Sequence, residues 1–452
     1  MKSRRGLTRL LAVGLVGALA AVGCANKQDT GGSSGGGGTG GTAAGGGSAF
    51  AVGTDKCNDP AKATAALSGN EIKFGSSFPQ SGVLAAFADI YKGWDASFKA
   101  QNASGGLNGK QLVAITKDDG YQPEKTKTNV QEMIDKDNVF ALMGVVGTPN
   151  NLAIRGSLNK DCVPDLFAAT GSQLMGNPGK YPWVIGSLPS YATEGAVFAS
   201  YLKQNKPNAK VGILRQNDDF GEGYLDAFKQ GIEGTGITIV GTETYEATVT
   251  DVASQVTKLN GTGADTLLLA VTTLTCPNAI KSVAEKQGWN PLVYVSATCA
   301  SKTLMGLAGD SGKGVITGIY LKQPADPQWA NDPAMQKYKS TLAAAGITDQ
   351  KEVDNTIIAF GYTIGDLLIQ TLQKSPNLSR QAVMQTAYNL KGLTPGLVLP
   401  GITVNTSGSS DPYPIEQLQI GSWNGDFFVP QGEMISYEGK TSTLVDQTKG
   451  QN

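Results

Sequence analysis

Apolar residues along this chain alternate between two spacings. Short runs rich in Val, Ile, Leu and Phe at residues 72–77, 111–117, 139–144 and 163–168 predict buried strands. Between them the apolar positions follow a helical period: Ile90, Trp94 and Phe98 stand four apart, and Val130, Met133 and Ile134 share a second face. Another series begins near Lys210, with strands predicted at 211–214, 237–242, 266–271, 292–297 and 315–319. Leu225, Phe228 and Ile232, then Val252, Val256 and Leu259, mark helices between them. Such alternation predicts an α/β chain of two lobes, each a doubly wound parallel sheet covered on both faces. After Gln323 the pattern changes: 332–345 and 355–373 read as consecutive helices, and 397–404, 415–420 and 426–429 as a terminal β segment. Thr148-Pro149 predicts a helix start, the Thr148 hydroxyl capping a first turn whose proline lacks an N–H that would go unused.

The first residues are of a different kind. Lys2, Arg4 and Arg5 precede an apolar run over 10–21 that is too short to cross a bilayer and has the form of an export signal. Val22-Gly23-Cys24 resembles a bacterial lipobox, which predicts acylation of Cys24 and a lipid anchor at the outer face of the cell membrane. Ala21 stands where such signals prefer Leu, and Ala21-Val22-Gly23 also fits ordinary secretory cleavage. Residues 31–47 are nearly all Gly, Ser, Thr and Ala and predict a flexible tether.

Composition narrows the chemistry. The 452 residues carry 37 Lys and Arg against 38 Asp and Glu, and four of the basic residues sit in the leader, so the remaining chain is mildly acidic and no nucleic-acid partner is expected. Histidine is absent, which excludes Ser-His-Asp and Cys-His nucleophiles and His-containing zinc sites. No phosphate-binding loop, calcium loop or other cofactor or metal motif occurs. The doublets Asp118-Asp119 and Asp218-Asp219 are the conspicuous carboxylate pairs, but adjacent residues on an extended strand point to opposite faces, so a hydrolase is not expected. Four cysteines follow Cys24, an even number that favours two disulfides in an exported chain. Cys276 and Cys299 each follow a predicted strand, and neighbouring parallel strands would bring them together; Cys57 and Cys162 are then left to pair.

Six short motifs stand in a telling order: Phe78-Pro79-Gln80-Ser81-Gly82, Gly105-Gly106-Leu107-Asn108-Gly109, Asp118-Asp119-Gly120, residues 144–148, Ala168-Ala169-Thr170, and Asp219-Phe220-Gly221-Glu222-Gly223. Together they resemble the type I periplasmic binding proteins of the branched-chain amino acid transporter class, over residues 71–429. The resemblance implies two lobes joined by a three-crossover hinge, no enzymatic activity and no cofactor. It also implies a monomer that captures a small amino-acid-like ligand and delivers it to an ABC-type permease. It divides the chain into a signal peptide (1–23), a lipidated N-terminus and tether (24–55), the first lobe (56–189), the second lobe (190–321), helices returning to the first lobe (322–396), and terminal strands and tail of the second (397–452).

The same resemblance implies the site. Thr148, Ala168 and Thr170 match the positions that hold the ligand's carboxylate and ammonium; Phe87, Phe220 and Tyr362 match aromatic positions beside it. Thr272, at the end of a predicted strand, adds a hydroxyl to the second wall, and Tyr121 stands just past a strand end in the first lobe. Where amino-acid-binding members place an acidic residue for the ammonium, this chain has Thr298. Threonine cannot neutralise a buried cation, so either Asp119, Asp219 or Glu243 substitutes, or the ligand has no free α-ammonium and is an amide, urea or aromatic acid. A sensor signalling to a membrane receptor would present the same site.

Overall fold

The computed structural model describes residues 50–445; the expected export signal, Cys24 and the glycine-rich tether lie outside the described residues. After the short α1 (Pro60–Thr64), the first lobe alternates β1 (Glu71–Phe78), α2 (Asp89–Ala103), β2 (Gln111–Asp118), α3 (Pro123–Asp135), β3 (Ala141–Met143), α4 (Thr148–Asp161), β4 (Asp165–Ala168) and β5 (Val184–Gly186). Its sheet runs β2-β1-β3-β4-β5 with every pair parallel. The strand at β5 is missing from the sequence reading because three residues are too few to display a period.

The chain then crosses to the second lobe: α5 (Tyr191–Asn205), β6 (Lys210–Gln216), α6 (Asp219–Gly231), β7 (Thr238–Tyr245), α7 (Ala253–Gly261), β8 (Thr266–Ala270), α8 (Thr275–Ala284), β9 (Leu292–Val295), α9 (Lys302–Gly306) and β10 (Ile316–Ile319). It crosses back through α10 (Pro333–Ala344), α11 (Gln350–Val353), α12 (Thr356–Lys374) and α13 (Arg380–Ala387), and returns as β11 (Gln417–Trp423) and β12 (Phe428–Ser436). The second sheet is ordered β12-β11-β10-β9-β8-β6-β7, with β11 and β12 antiparallel to their neighbours.

The apolar stripes do what their spacing predicts. Ile90, Trp94 and Phe98 are buried beneath α12, which is itself apolar on nearly every side. The two helices approach closely because glycine faces backbone on both: a methyl on Gly93 would land on the Ile358 carbonyl, and one on Gly361 on the Ile90 carbonyl. One expected strand does not form. Residues 397–404 make only isolated bridges, Leu321 with Val398 and Leu393 with Val404. Pro400 has no N–H for a ladder, and Gly396 and Gly401 turn the chain with φ of 49° and 91°, although Leu397, Ile402 and Val404 are still buried. Both disulfides are present: Cys57 reaches Cys162 at the end of α4, with Cα atoms 5.5 Å apart, and Cys276 on α8 reaches Cys299 just after β9, at 6.2 Å.

Strand order reverses between β1 and β3 in the first sheet and between β6 and β8 in the second. In open parallel sheets, loops leaving the strands' C-terminal ends diverge at such a reversal and leave a crevice.

Candidate functional site

The two crevices face each other across a cavity of about 90 Å³ that remains partly open to solvent. The first lobe contributes Phe87 and Ile90 after β1, Tyr121 after β2, Thr148 after β3 and Ala169 after β4. The second contributes Tyr191 at the start of α5, Phe220 after β6, Thr272 after β8, and Ala297 and Thr298 after β9. Leu188 and residues 318–321, where the chain crosses between lobes, close one side, and Thr356, Ile357 and Phe360 of α12 close another.

Thr148 sits where the sequence suggests, with a different job. The helix cap is Gly147, at φ 104°, and no side chain caps the first turn. Any side chain at 147 would meet the Tyr121 ring, since a Cβ added there would come within 2.6 Å of it. The Thr148 hydroxyl is thus released from capping: it shares a hydrogen bond with the Thr170 hydroxyl at 2.7 Å and approaches the Tyr191 phenol at 3.3 Å, which is also 3.3 Å from Thr170. Tyr191 is a site residue that sequence reasoning missed. Its only local signal is Ser190, whose hydroxyl caps α5 and so aims the helix start at the cleft.

Phe87, Phe220, Thr272 and Thr298 all border the cavity. Thr170 stands one layer back, behind Thr148. Ala168 lies within the sheet, its carbonyl accepting from the Ser187 backbone and hydroxyl, and Ala169 takes its expected place at the wall. Tyr362 lies elsewhere: its ring packs edge-on against Tyr338 at 5.2 Å and borders a separate depression with Asp366. Two residues beyond Phe360 is more than half a helical turn, so the two rings of α12 cannot share a face.

The electrostatics of the cavity are set by what is missing from its wall. Among the described residues, no Asp, Glu, Lys or Arg borders it. Asp119 is buried under the loop, held by the Ser77 and Thr126 hydroxyls at 2.8 and 2.9 Å and by the Tyr121 N–H at 2.8 Å. Asp219 faces a different depression, and Glu243 pairs with Lys258 at 2.9 Å. Asp218 caps α6 through the Phe220 and Gly221 N–H groups and takes the Gln216 amide at 2.5 Å; burial raises its pKa. Glu194 lies behind the second wall, accepting from the Tyr224 and Tyr294 phenols at 2.6 and 3.0 Å and from the Ala297 N–H at 2.9 Å. Burial raises its pKa to about 7. Burial also holds the Tyr121 and Tyr191 phenols above their usual range, so both remain hydrogen-bond donors.

The lobes touch around the cavity. The Thr273 hydroxyl donates to the Val83 carbonyl at 2.9 Å, and the Gln216 amide approaches the Tyr121 phenol at 3.4 Å. Away from the cleft, Asp411, Glu416 and Glu438 bring carboxylate oxygens within 4.8 Å of one another. Glu416 already accepts from the Gly439 and Thr441 N–H groups, and burial, with Glu416 beside it, pushes Asp411 up to about 8, so the cluster holds a proton at neutral pH.

A family model described as periplasmic binding protein matches residues 71–426, more than half of the chain. The Leu/Ile/Val-binding protein homolog 3 of Brucella melitensis is 27% identical over 197 residues, 43% of this chain and 53% of that protein, so the chain spans about half the length of this relative. A branched-chain amino acid ABC transporter structure from Thermus thermophilus with bound valine superposes with a TM-score of 0.75 at 16% identity, covering 83% of this chain and 99% of that one. A solute-binding protein of an ABC transporter from Rhodopseudomonas palustris, in complex with 3,4-dihydroxy benzoic acid, gives 0.69 at 19%, covering 81% and 98%. At these identities the structures establish the two-lobed fold. Among the described residues, no helix is long and apolar enough to cross a membrane.

Proposed function

Because the chain belongs to the periplasmic binding protein family, whose members bind solutes and are not enzymes, we propose that it captures one small, amino-acid-sized solute between its lobes and hands it to an ATP-driven membrane permease. The carrying observation is the cavity whose wall is drawn from C-terminal strand ends of both sheets. A solute held there bridges the lobes, so its binding energy favours the closed arrangement that a permease can distinguish from the open one. Thr148, backed by Thr170 and joined by Tyr191, takes the polar end of the solute; Phe87 and Phe220 cover its body from opposite lobes, and Thr272 and Thr298 complete the second wall. The lipobox-like Val22-Gly23-Cys24 supports acylation of Cys24 as the means of keeping the folded body at the membrane.

Relatives named for leucine, isoleucine and valine, and neighbours holding valine or a benzoic acid, support a ligand of this size. The test is thermal unfolding of the full chain against amino acids, aromatic acids, short amides and urea. A true ligand at a hundred times its dissociation constant stabilises by about 2.7 kcal/mol, a shift of several degrees. Scattering should show compaction with the same compound. A panel in which nothing shifts the transition or compacts the chain defeats the reading.

A further inference from the structure

The wall of the cavity also bears on what kind of solute it admits, an inference that rests on the solute-binding reading above. An α-amino acid is a zwitterion, and enclosing its ammonium requires a carboxylate or a full set of acceptors. The wall has no charged side chain among the described residues. The carboxyls behind it are committed: Glu194 to two phenols and a backbone N–H, Asp218 to the cap of α6 and the Gln216 amide, and Asp119 to Ser77, Thr126 and Tyr121. The wall's side-chain acceptors are uncharged: the Gln323 amide carbonyl, and hydroxyls such as Thr272, which donates to Gln216, and Thr298, shared with Ser296.

Donors are better supplied. The first turn of α4 has no side-chain cap; Pro149 lacks an N–H and the Asn151 N–H is taken by the Gly147 carbonyl, so the turn meets the cavity at Thr148, where its partial positive charge suits an anion. The phenols of Tyr121 and Tyr191 border the same space. A separate observation points to a polar group on the ligand: Thr356, only 8% exposed, lines the cavity and its hydroxyl has no hydrogen-bond partner among the described residues. Buried hydroxyls without a partner are uncommon, and this one stands where a bound molecule would supply one.

We propose that the site selects a monocarboxylate with an uncharged apolar body and no α-ammonium, the acid group directed to the start of α4, and that it discriminates against the corresponding amino acid. The body fits against Ile90, Phe87, Phe220 and Phe360.

Matched probes separate the alternatives: 4-methylpentanoate against leucine, phenylacetate against phenylglycine, and phenylacetamide as the neutral control, each titrated calorimetrically into the full chain. The expected result is that each acid binds at least tenfold more tightly than its amino counterpart, and phenylacetate at least tenfold more tightly than its amide. Thr356→Val should weaken the preferred acid at least threefold while leaving the ligand-free unfolding temperature within about two degrees. An amino acid that equals or exceeds its acid, an amide that does so, or failure of both acids to bind overturns the assignment of ligand class. If leucine, phenylglycine or the amide compacts the chain in scattering, the solute-binding reading survives that failure. If no probe binds or compacts it, the result counts against both.

Discussion

The two walls of the cleft use their hydroxyl groups differently. In the second lobe the Thr272 hydroxyl donates to Gln216 at 2.9 Å, and the Thr298 hydroxyl is shared with Ser296 at 2.6 Å and the Val271 carbonyl at 3.2 Å. These groups brace their own lobe. In the first, among the described residues, Thr148 is relieved of capping by Gly147 and meets only other hydroxyls, and Thr356, on the returning helix, has no partner. A hydroxyl bonded to hydroxyls can rotate toward a guest at little cost, whereas one bonded to a fixed carbonyl cannot. Under the proposed function, the first lobe would supply polar recognition and the second a braced wall that acts as the lid. Two buried carboxyls contrast in the same way: Glu194 in the second lobe accepts from three donors behind the wall, whereas neither oxygen of Asp165, on β4 of the first, has a partner among the described residues; Asp119, also of the first lobe, is held by three donors.

The largest way to sharpen the contrast is through the disulfides, one in each lobe. Cys57 and Cys162 are 105 residues apart and Cys276 and Cys299 are 23 apart. Loop-closure entropy gives the longer bridge about 4.7 kcal/mol and the shorter about 3.4 kcal/mol. Cys57→Ser/Cys162→Ser should therefore lower the denaturant midpoint more than Cys276→Ser/Cys299→Ser. The reverse order would mean that the second lobe depends on its bridge for more than chain entropy, as a lid whose β9 loop must be held would.

Next in size is a pH effect to which Asp165 of the first lobe contributes alongside Glu194 and Asp411, whose pKa values are also raised. Burial raises the Asp165 pKa from 3.8 to about 7. The native state therefore keeps a proton that the unfolded chain has lost, and stability falls as pH rises from about 4 to about 7, by at most roughly 4 kcal/mol. Asp165→Asn cannot ionise and should remove that residue's share of the fall, leaving the share of Glu194 and Asp411, so the difference between variant and parent should be larger at pH 8 than at pH 4 in urea unfolding. Glu194→Gln is expected to differ: with three donors aimed at a carboxyl, the amide should destabilise by about 1–3 kcal/mol even at pH 4. Identical pH profiles for Asp165→Asn and the parent would show that Asp165 finds a partner in solution.

How far these walls could be read from sequence depends on how local each feature is. Strand and helix identity was legible because apolar period is a property of a few neighbouring residues: Ile90, Trp94 and Phe98 announce the buried face of α2 unaided. The segment 397–404 misled because its apolar content is real but its glycines and Pro400 prevent pairing. Thr148, Thr298, Phe87 and Phe220 could be placed at the cavity through the resemblance of the motifs, and Thr272 because it follows a strand end. Tyr191 could not, since it reaches Thr148 only through a crossover between lobes. Tyr362 was placed wrongly because motif position fixes the helix and leaves its rotation open, and α12 is apolar enough to bury a tyrosine on any face. The release of Thr148 from capping was likewise invisible: it depends on Gly147 taking φ 104° beneath the Tyr121 ring.

The smallest expected effect tests the division of labour most directly. Thr148→Val keeps the shape of the side chain and removes the hydroxyl, and a hydrogen bond to a charged ligand group is worth about 1.5–3 kcal/mol, so the ligand's affinity should fall at least about tenfold. Thr298→Val removes a hydroxyl already engaged with Ser296 and Val271, and the affinity should change by no more than about threefold. The stability changes should run the other way, because the Thr298 hydroxyl braces the lid and the Thr148 hydroxyl braces nothing but Thr170 and Tyr191. Should Thr298→Val prove the more damaging to affinity, the polar end of the solute lies against the second lobe, and the first lobe's hydroxyl cluster would have to be reassigned to holding Tyr191 in place.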